Sequence, residues 1–360
     1  MNSISNPGEF ARQRRWKRAE NRSKEYFLAG GHLRWPMIGL SLFATNISCY
    51  HLVGLAENGF TTGLLYGNFE WMAVFTLVLL ALFFAPFHLR SRVATLDLSY
   101  LEDELTRDEA HAILREHLPT RSSREGILRS GYPGYDTSIG WFNYSDEQIR
   151  ENVRKSVAAG FTAMKLKVGA PDMDFDLRRT ALVREGAGEA ATLMVDCNQQ
   201  WTMPRALEFG ERSREFRLFW IEEPTHPDDI LGHATLARAY SPHTRVAAGE
   251  HVPNRVIFKN YLQANALGFC QVDAVRVAGV SEFLAVTLMA KKRGVPVVPH
   301  VGDMGQIHQH LVLFNHIGLG HEALLLEHIP HLHEHFVHPC RVEGGVYRTP
   351  QEPGMSSDLK

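Results

Sequence analysis

Phe161-Thr162-Ala163-Met164-Lys165-Leu166-Lys167 is a short apolar run that closes in charge, and the same device recurs down the chain about every 25 residues. Asp196 follows Thr192-Leu193-Met194-Val195, Glu222 follows Leu218-Phe219-Trp220-Ile221, and Glu250 follows Val246-Ala247-Ala248-Gly249. Asp273 follows Phe269-Cys270-Gln271-Val272, His300 follows Val295-Pro296-Val297-Val298-Pro299, and Glu327 follows Ala323-Leu324-Leu325-Leu326. One strand plus one helix takes about 25 residues, and a parallel (β/α) barrel gathers its functional side chains at the C-terminal strand ends. The pattern predicts an α/β chain with two lysines, five carboxylates and a histidine around one mouth.

The intervening segments agree. Helical patterns over 147–159 and 204–214 alternate with the strand-like runs, which argues for a parallel sheet. Thr106-Arg107-Asp108-Glu109 reads as a capping box that opens an amphipathic helix ending before Pro119. A polar stretch over 120–125 follows, and Gly131-Tyr132-Pro133 introduces the first strand near Tyr135-Asp136-Thr137.

The charged residues suggest a chemistry. Asp196, Glu222 and Glu250 on three successive strands would be intolerable together without a cation, and all-oxygen donors suit a hard ion such as Mg²⁺. Lys165 and Lys167 alternate on one strand and share a face, so each should disfavour protonation of the other and bring one toward the range of a useful base. Asp273 and His300 on adjacent strands suit a carboxylate-oriented imidazole acting as general acid or base. Glu327, if protonated, could hydrogen-bond an anion formed beside a substrate carboxylate. Ten histidines fall between His300 and His338, including His331-Leu332-His333-Glu334-His335. No adjacent strand supplies a matching donor set, so solvated loop and helix positions account for them.

Length and composition set the frame. The 360 residues accommodate a barrel of about 250 residues and one further unit. A net charge of −2 gives no reason to expect nucleic-acid binding. Cys49, Cys197, Cys270 and Cys340 show no paired spacing and fit a reduced compartment better than a disulfide framework.

The first hundred residues differ in kind. Residues 71–89 contain an uncharged apolar stretch from Met72 to Phe87, and residues 36–56 are apolar but carry Asn46, Ser48 and His51. Basic residues from Arg12 to Lys24 precede the pair and Arg90 and Arg92 follow it, whereas the connecting loop has no lysine or arginine. The distribution predicts a membrane hairpin over 36–56 and 71–89 with both ends, and hence the barrel, on the cytoplasmic side. A buried helical pair in a cytoplasmic protein is the other reading.

These N-terminal residues resemble the sodium/solute symporter family over about residues 24–91. The match runs from Tyr26-Phe27-Leu28-Ala29-Gly30 through Asn46-Ile47-Ser48 to Gly67-Asn68-Phe69-Glu70-Trp71-Met72. The resemblance implies that Asn46-Ile47-Ser48 falls in a broken helix, and two spans are too few for transport. Residues 98–360 resemble the enolase superfamily, most closely the L-fuconate dehydratases. The segments that carry this are Lys165-Leu166-Lys167-Val168-Gly169, Asp196-Cys197-Asn198-Gln199-Gln200-Trp201, Trp220-Ile221-Glu222-Glu223-Pro224-Thr225, 227–233, Gly249-Glu250 and 254–259.

The second resemblance implies a (β/α)₇β barrel over 131–345, a linker and remnant of a capping domain over 93–130, and a C-terminal tail over 346–360. It implies Mg²⁺ on Asp196, Glu222 and Glu250, Lys167 as the base at C2 of a sugar acid, and Lys165 tuning it. His300, oriented by Asp273, would protonate the departing C3 hydroxyl, Glu327 would stabilise the enediolate, and Asn198 would contact the substrate carboxylate. The product would be a 2-keto-3-deoxy acid, and a homo-oligomer is compatible with the family. Two departures stand out. Val301-Gly302-Asp303-Met304-Gly305 replaces the family's usual Ala-Gly-Gly-Val-Gly, and the symporter-like residues 1–92 stand where most of the capping domain belongs. The alternative to a working dehydratase is therefore a catalytically impaired chimera of the two fragments.

Overall fold

A computed structural model of the chain describes residues 96, 98–301, 305–322, 324–351 and 354–360. The expected hairpin segments 36–56 and 71–89 lie outside the described residues, as do Asn46-Ile47-Ser48 and Gly302-Asp303-Met304. Among the described residues, no helix is long and apolar enough to cross a membrane. The described part forms one compact unit, Leu96–Lys360.

Its framework is an alternation of parallel strands and helices. The strands are β1 (Tyr132–Asp136), β2 (Ala163–Lys167), β3 (Thr192–Asp196), β4 (Trp220–Glu222), β5 (Arg245–Ala248), β6 (Phe269–Cys270) and β7 (Leu326–His328). Helix α1 (Arg107–Glu116) precedes them, and α2 (Asp146–Ala158), α3 (Met173–Ala187), α4 (Met203–Arg212), α5 (Ile230–Tyr240), α6 (Arg255–Gln263), α7 (Val280–Lys292) and α8 (His308–Leu319) fall between them. The parallel order is β6-β5-β4-β3-β2-β1, with β7 on the other side of β1. A parallel bridge from Cys270 to Val297 extends the row beyond β6, so the run before His300 is a bridge rather than a full strand.

The register shows why the strands read as they do. Lys167 pairs with Asp196, and Asp196 pairs with Glu222, so the charged ends of neighbouring strands come level. Side chains of Tyr135, Ala163, Met194, Trp220, Ala247, Phe269 and Val298, with Leu325 beside them, meet in one buried cluster. A row of strands can bring all of these together only by curling round them. The outer faces of the same strands pack against the helices, where Ile149, Val153, Met164, Leu166 and Val195 share one core.

Local signals act as expected. Thr106 accepts from the Glu109 backbone N–H and the Glu109 carboxylate accepts from the Thr106 N–H, completing the capping box of α1. Leu101 and Leu105, just before this helix, are fully buried among residues of α6 and α7, and each contributes about 1.5–3 kcal/mol of transfer free energy. Asp103 and Glu104 pair with Lys259 and Arg293.

One boundary moves. Val346–Arg348, read from sequence as the start of a tail, is strand β9, antiparallel both to β1 and to β8 (Arg341–Glu343). Tyr347 stacks on Tyr132 and its hydroxyl donates to the Glu327 carbonyl. The segment is only three residues long, so its sequence alone carries little strand signal although Val346 and Tyr347 favour strands.

Candidate active site

Each strand delivers its charged residue by the same local device. Side chains alternate across a strand, so a residue two places beyond an interior apolar residue points to the same side, one layer higher. Lys165 stands two places beyond Ala163, Asp196 beyond Met194, Glu222 beyond Trp220, and Glu327 beyond Leu325. Glu250 is reached differently, because β5 ends at Ala248 and Gly249 turns the chain at φ +155. A Cβ there would lie 2.5 Å from the Gln271 backbone, so the turn needs glycine.

The side chains converge. Lys165 Nζ lies 2.7 Å from Glu222 Oε1, 2.8 Å from Glu327 Oε1 and 3.6 Å from Asp196 Oδ2. Lys167 Nζ donates to Asp196 Oδ2 at 2.5 Å. On the other flank His300 Nε2 lies 2.7 Å from Glu250 Oε2, and its Nδ1 lies 2.8 Å from Asp273 Oδ2. Asp196, Glu222 and Glu250 each offer one oxygen within 4.8 Å of the other two, and all three are buried. Asn198 adopts positive φ and donates its backbone N–H to Asp196 Oδ1, which shapes the loop after β3.

Burial and charge set the protonation states. Burial alone would pull the Lys165 ammonium down, but Glu222, Glu327 and Asp196 outweigh it and hold it well above its ordinary value. The same opposition raises Lys167, with Asp196 as the main carboxylate and Lys165 pulling the other way. This corrects the expectation of a lysine lowered by its neighbour: the repulsion is there, but the contacting carboxylates exceed it. Burial pushes Glu222 up to about 8, with Asp196 and Glu327 adding to it and Lys165 opposing. Glu327 goes the other way. Burial would raise it, yet Lys165 and His300 hold it at about 2, so it is an ionised acceptor and the condition under which it could donate to an anion is not met. His300 overcomes its burial through hydrogen bonds to Asp273 and Glu250 and is raised to about 10.

Several supporting residues escaped the sequence reading. Thr137 Oγ1 donates to Glu327 Oε1 at 2.6 Å, Trp220 Nε1 to Glu222 Oε2 at 3.0 Å, and Gln271 Nε2 to the same oxygen at 2.7 Å. The alternation rule could have found all three, since Thr137 follows Tyr135, Trp220 precedes Glu222, and Gln271 precedes Asp273, each by two places. His308, read as solvated, is fully buried; its Nδ1 donates to the Val301 carbonyl and its Nε2 accepts from the Ala274 N–H behind Asp273.

A chain of parallel strands that carries this set at its C-terminal ends defines a class. The chain belongs to the enolase C-terminal domain-like family, whose model matches residues 148–360. A sodium:solute symporter family model matches residues 26–107, ending at the first residue of α1. Mitochondrial enolase superfamily member 1 of Homo sapiens is 42% identical over 277 residues, covering 75% of this chain and 62% of its own length. The crystal structure of that human protein superposes with a TM-score of 0.70 at 42% identity, covering 73% of this chain and 61% of that one. L-galactonate dehydratase of Hypocrea jecorina is 41% identical, covering 74% of this chain and 61% of its own length. The structure of L-talarate/galactarate dehydratase from Salmonella typhimurium LT2, liganded with Mg and L-lyxarohydroxamate, gives a TM-score of 0.59 at 34% identity, covering 70% of this chain and 62% of that one. The chain thus spans about three fifths of the length of these relatives. They include dehydratases whose solved structures hold Mg.

The donor set suits that ion. Mg²⁺ prefers oxygen ligands at about 2.0–2.1 Å in near-octahedral geometry, which requires donor oxygens about 3–4 Å apart. Three buried carboxylates with oxygens within 4.8 Å need only a small contraction to reach this.

Proposed function

We propose that the chain is a Mg²⁺-dependent sugar-acid dehydratase built on a (β/α)₇β barrel. The observation that carries this reading is the placement of a lysine pair and an Asp273-oriented His300 on opposite flanks of one buried three-carboxylate cluster. Asp196, Glu222 and Glu250 would hold the ion. Bound there, Mg²⁺ would supply a Lewis acid for the substrate carboxylate and draw carboxylate charge away from the two lysines.

The chain's own residues do the rest. Lys167 Nζ, as the neutral amine, takes the proton from C2, and the bonding pair is drawn toward the carboxylate. Lys165 beside it favours that neutral form before the step and lies close enough to attract the developing charge. His300, held in one orientation by Asp273, gives its proton to the C3 hydroxyl, which leaves as water. The enol that remains tautomerises to the 2-keto-3-deoxy acid. Glu327, anchored by Thr137 and the Val301 N–H, keeps Lys165 in place. Asn198, two residues beyond Asp196, would contact the substrate carboxylate.

Relatives act by name on L-galactonate, L-talarate or galactarate, and arabinonate. L-fuconate and these acids are therefore the panel for the full chain with Mg²⁺. Turnover of one of them is expected, with C2 proton exchange into deuterated solvent lost in Lys167→Ala and retained better in His300→Asn. Equal exchange in the parent and Lys167→Ala would overturn the assignment of the base.

The symporter-family match over 26–107 favours a second reading, a catalytically impaired chimera in which an intact cluster binds Mg²⁺ but turns nothing over. The same match supports a membrane hairpin over 36–56 and 71–89 with the barrel cytoplasmic. Reporter fusions after Arg18 and Ser99 should both score as cytoplasmic, and recovery of the full chain without detergent would refute the hairpin.

A further inference from the structure

We propose that His328, His333 and Cys340 form a binding site for a single zinc ion, outside the carboxylate cluster. Each of the three offers one donor atom within 4.8 Å of the other two. His333 Nε2 and Cys340 Sγ are already 3.1 Å apart. Tetrahedral zinc, with bonds of about 2.3 Å to sulfur and 2.0–2.1 Å to nitrogen, sets such a pair about 3.5 Å apart, so the cluster needs only a small opening there.

The topology keeps this group apart from the carboxylates. Glu327 faces the interior, where it meets Lys165, and the next residue on β7 faces the other way. His328 accordingly stacks on Phe161 and meets the edge of Tyr347, outside the ring of strands. Cys340 is buried beside Leu326 and Tyr347 in the same outer cluster, and it lies one residue before β8. His333 reaches it from the short helical turn His333–His335. The three donors thus tie the end of β7 to the loop that leads into the β8–β9 hairpin.

A second observation points to a ligand. His328 Nδ1 is buried and has no hydrogen-bond partner, although a buried imidazole nitrogen nearly always finds one. Burial holds His328 down to about 4 and also lowers His333, so both rings are neutral, the form that binds a metal. Asp136, level with His328 in the β1–β7 register, places a carboxylate near the net positive charge that zinc and one thiolate would leave. Two imidazoles and a thiolate are borderline-soft donors, which select zinc over Mg²⁺. Three protein ligands leave one tetrahedral position for water.

Cobalt(II) substitution reads the site directly, because only a thiolate ligand yields a sulfur-to-cobalt charge-transfer band. The purified full-length chain, kept reduced with a phosphine, is titrated with Co²⁺ in excess Mg²⁺, which fills the oxygen site. The expected result is one equivalent of Co²⁺ bound with a charge-transfer band and tetrahedral d–d intensity, displaced by one equivalent of Zn²⁺. Cys340→Ser should abolish the band, and His333→Gln, at a half-exposed position, should weaken binding at least about 100-fold. Absence of the band in the parent chain, or its survival in Cys340→Ser, would overturn the proposal.

Discussion

Two layers of side chains on the same strands, one register step apart, have opposite chemistry. The lower layer is Tyr135, Ala163, Met194, Trp220, Ala247, Phe269, Val298 and Leu325. Two places further along stand Thr137, Lys165, Asp196, Glu222, Gly249, Gln271, His300 and Glu327. The lower layer excludes water, and the upper one spends that dryness on charge. Taking an ion from water costs several kcal/mol unless it is paired, and here every buried charge is within contact of an opposite one. A floor of aromatic and aliphatic side chains therefore fixes both where the charged groups stand and how strongly they act on each other.

The largest effect is expected in the floor. Trp220 is fully buried, packs edge-on against Tyr135 at 5.5 Å and against Phe269 at 5.0 Å, and also donates to Glu222. Trp220→Ala should cost about 3–5 kcal/mol of unfolding free energy in denaturant titration. It should also weaken Mg²⁺ binding, since Glu222 loses a donor and its dry surroundings. A loss below about 1 kcal/mol would mean that the layers do not depend on each other.

Two buried histidines, His300 in the upper layer and His321 outside it, differ in the charges around them. His300 stands between two carboxylates and is raised, whereas His321 is lowered to about 4, by burial first and then by Lys291. His321 Nε2 donates to the Thr287 carbonyl at 3.4 Å. A histidine whose folded value lies below its unfolded value of about 6.5 contributes stability that is present above pH 6.5 and lost as the pH falls through 4. Acid should therefore remove up to about 3 kcal/mol over that window, and His321→Gln should flatten the slope. An unchanged slope in the variant would place the acid sensitivity elsewhere.

How much of this was legible in the chain depended on which physical signal each part carries. The strands of the mouth were legible because apolar runs closed by charge recur at the spacing of a strand and a helix. That recurrence singled out the carboxylate and lysine positions, and alternation put Lys165 and Lys167 on one face, whereas Glu250 reaches the cluster only through the turn at Gly249. The protonation states did not follow, because they depend on distances across strands: Lys165 and Lys167 repel each other as expected, yet Glu222 lies 2.7 Å from one and Asp196 2.5 Å from the other. His328 and Cys340 were illegible for a related reason. They are twelve residues apart and come together only through the turn between β7 and β8. Strand β9 was missed because it is three residues long and depends on β1 and β8 for its pairing.

Thr137 offers the smallest and most specific test of the two layers. It stands one step above Tyr135, and its hydroxyl donates to Glu327 Oε1 at 2.6 Å while the Val301 N–H donates to Oε2 at 3.2 Å. Thr137→Val keeps the side-chain shape and removes only the donor. A hydrogen bond to a charged group contributes about 1.5–3 kcal/mol, and here Lys165 remains to hold the carboxylate, so the lower figure applies. The expected outcome is a loss of about 1.5 kcal/mol in stability and about a tenfold fall in turnover, with Mg²⁺ affinity unchanged because Glu327 is not among the three clustered carboxylates. If Mg²⁺ affinity fell with turnover, Glu327 would be coupled to the ion, and the division between metal-holding and lysine-holding carboxylates would have to be redrawn.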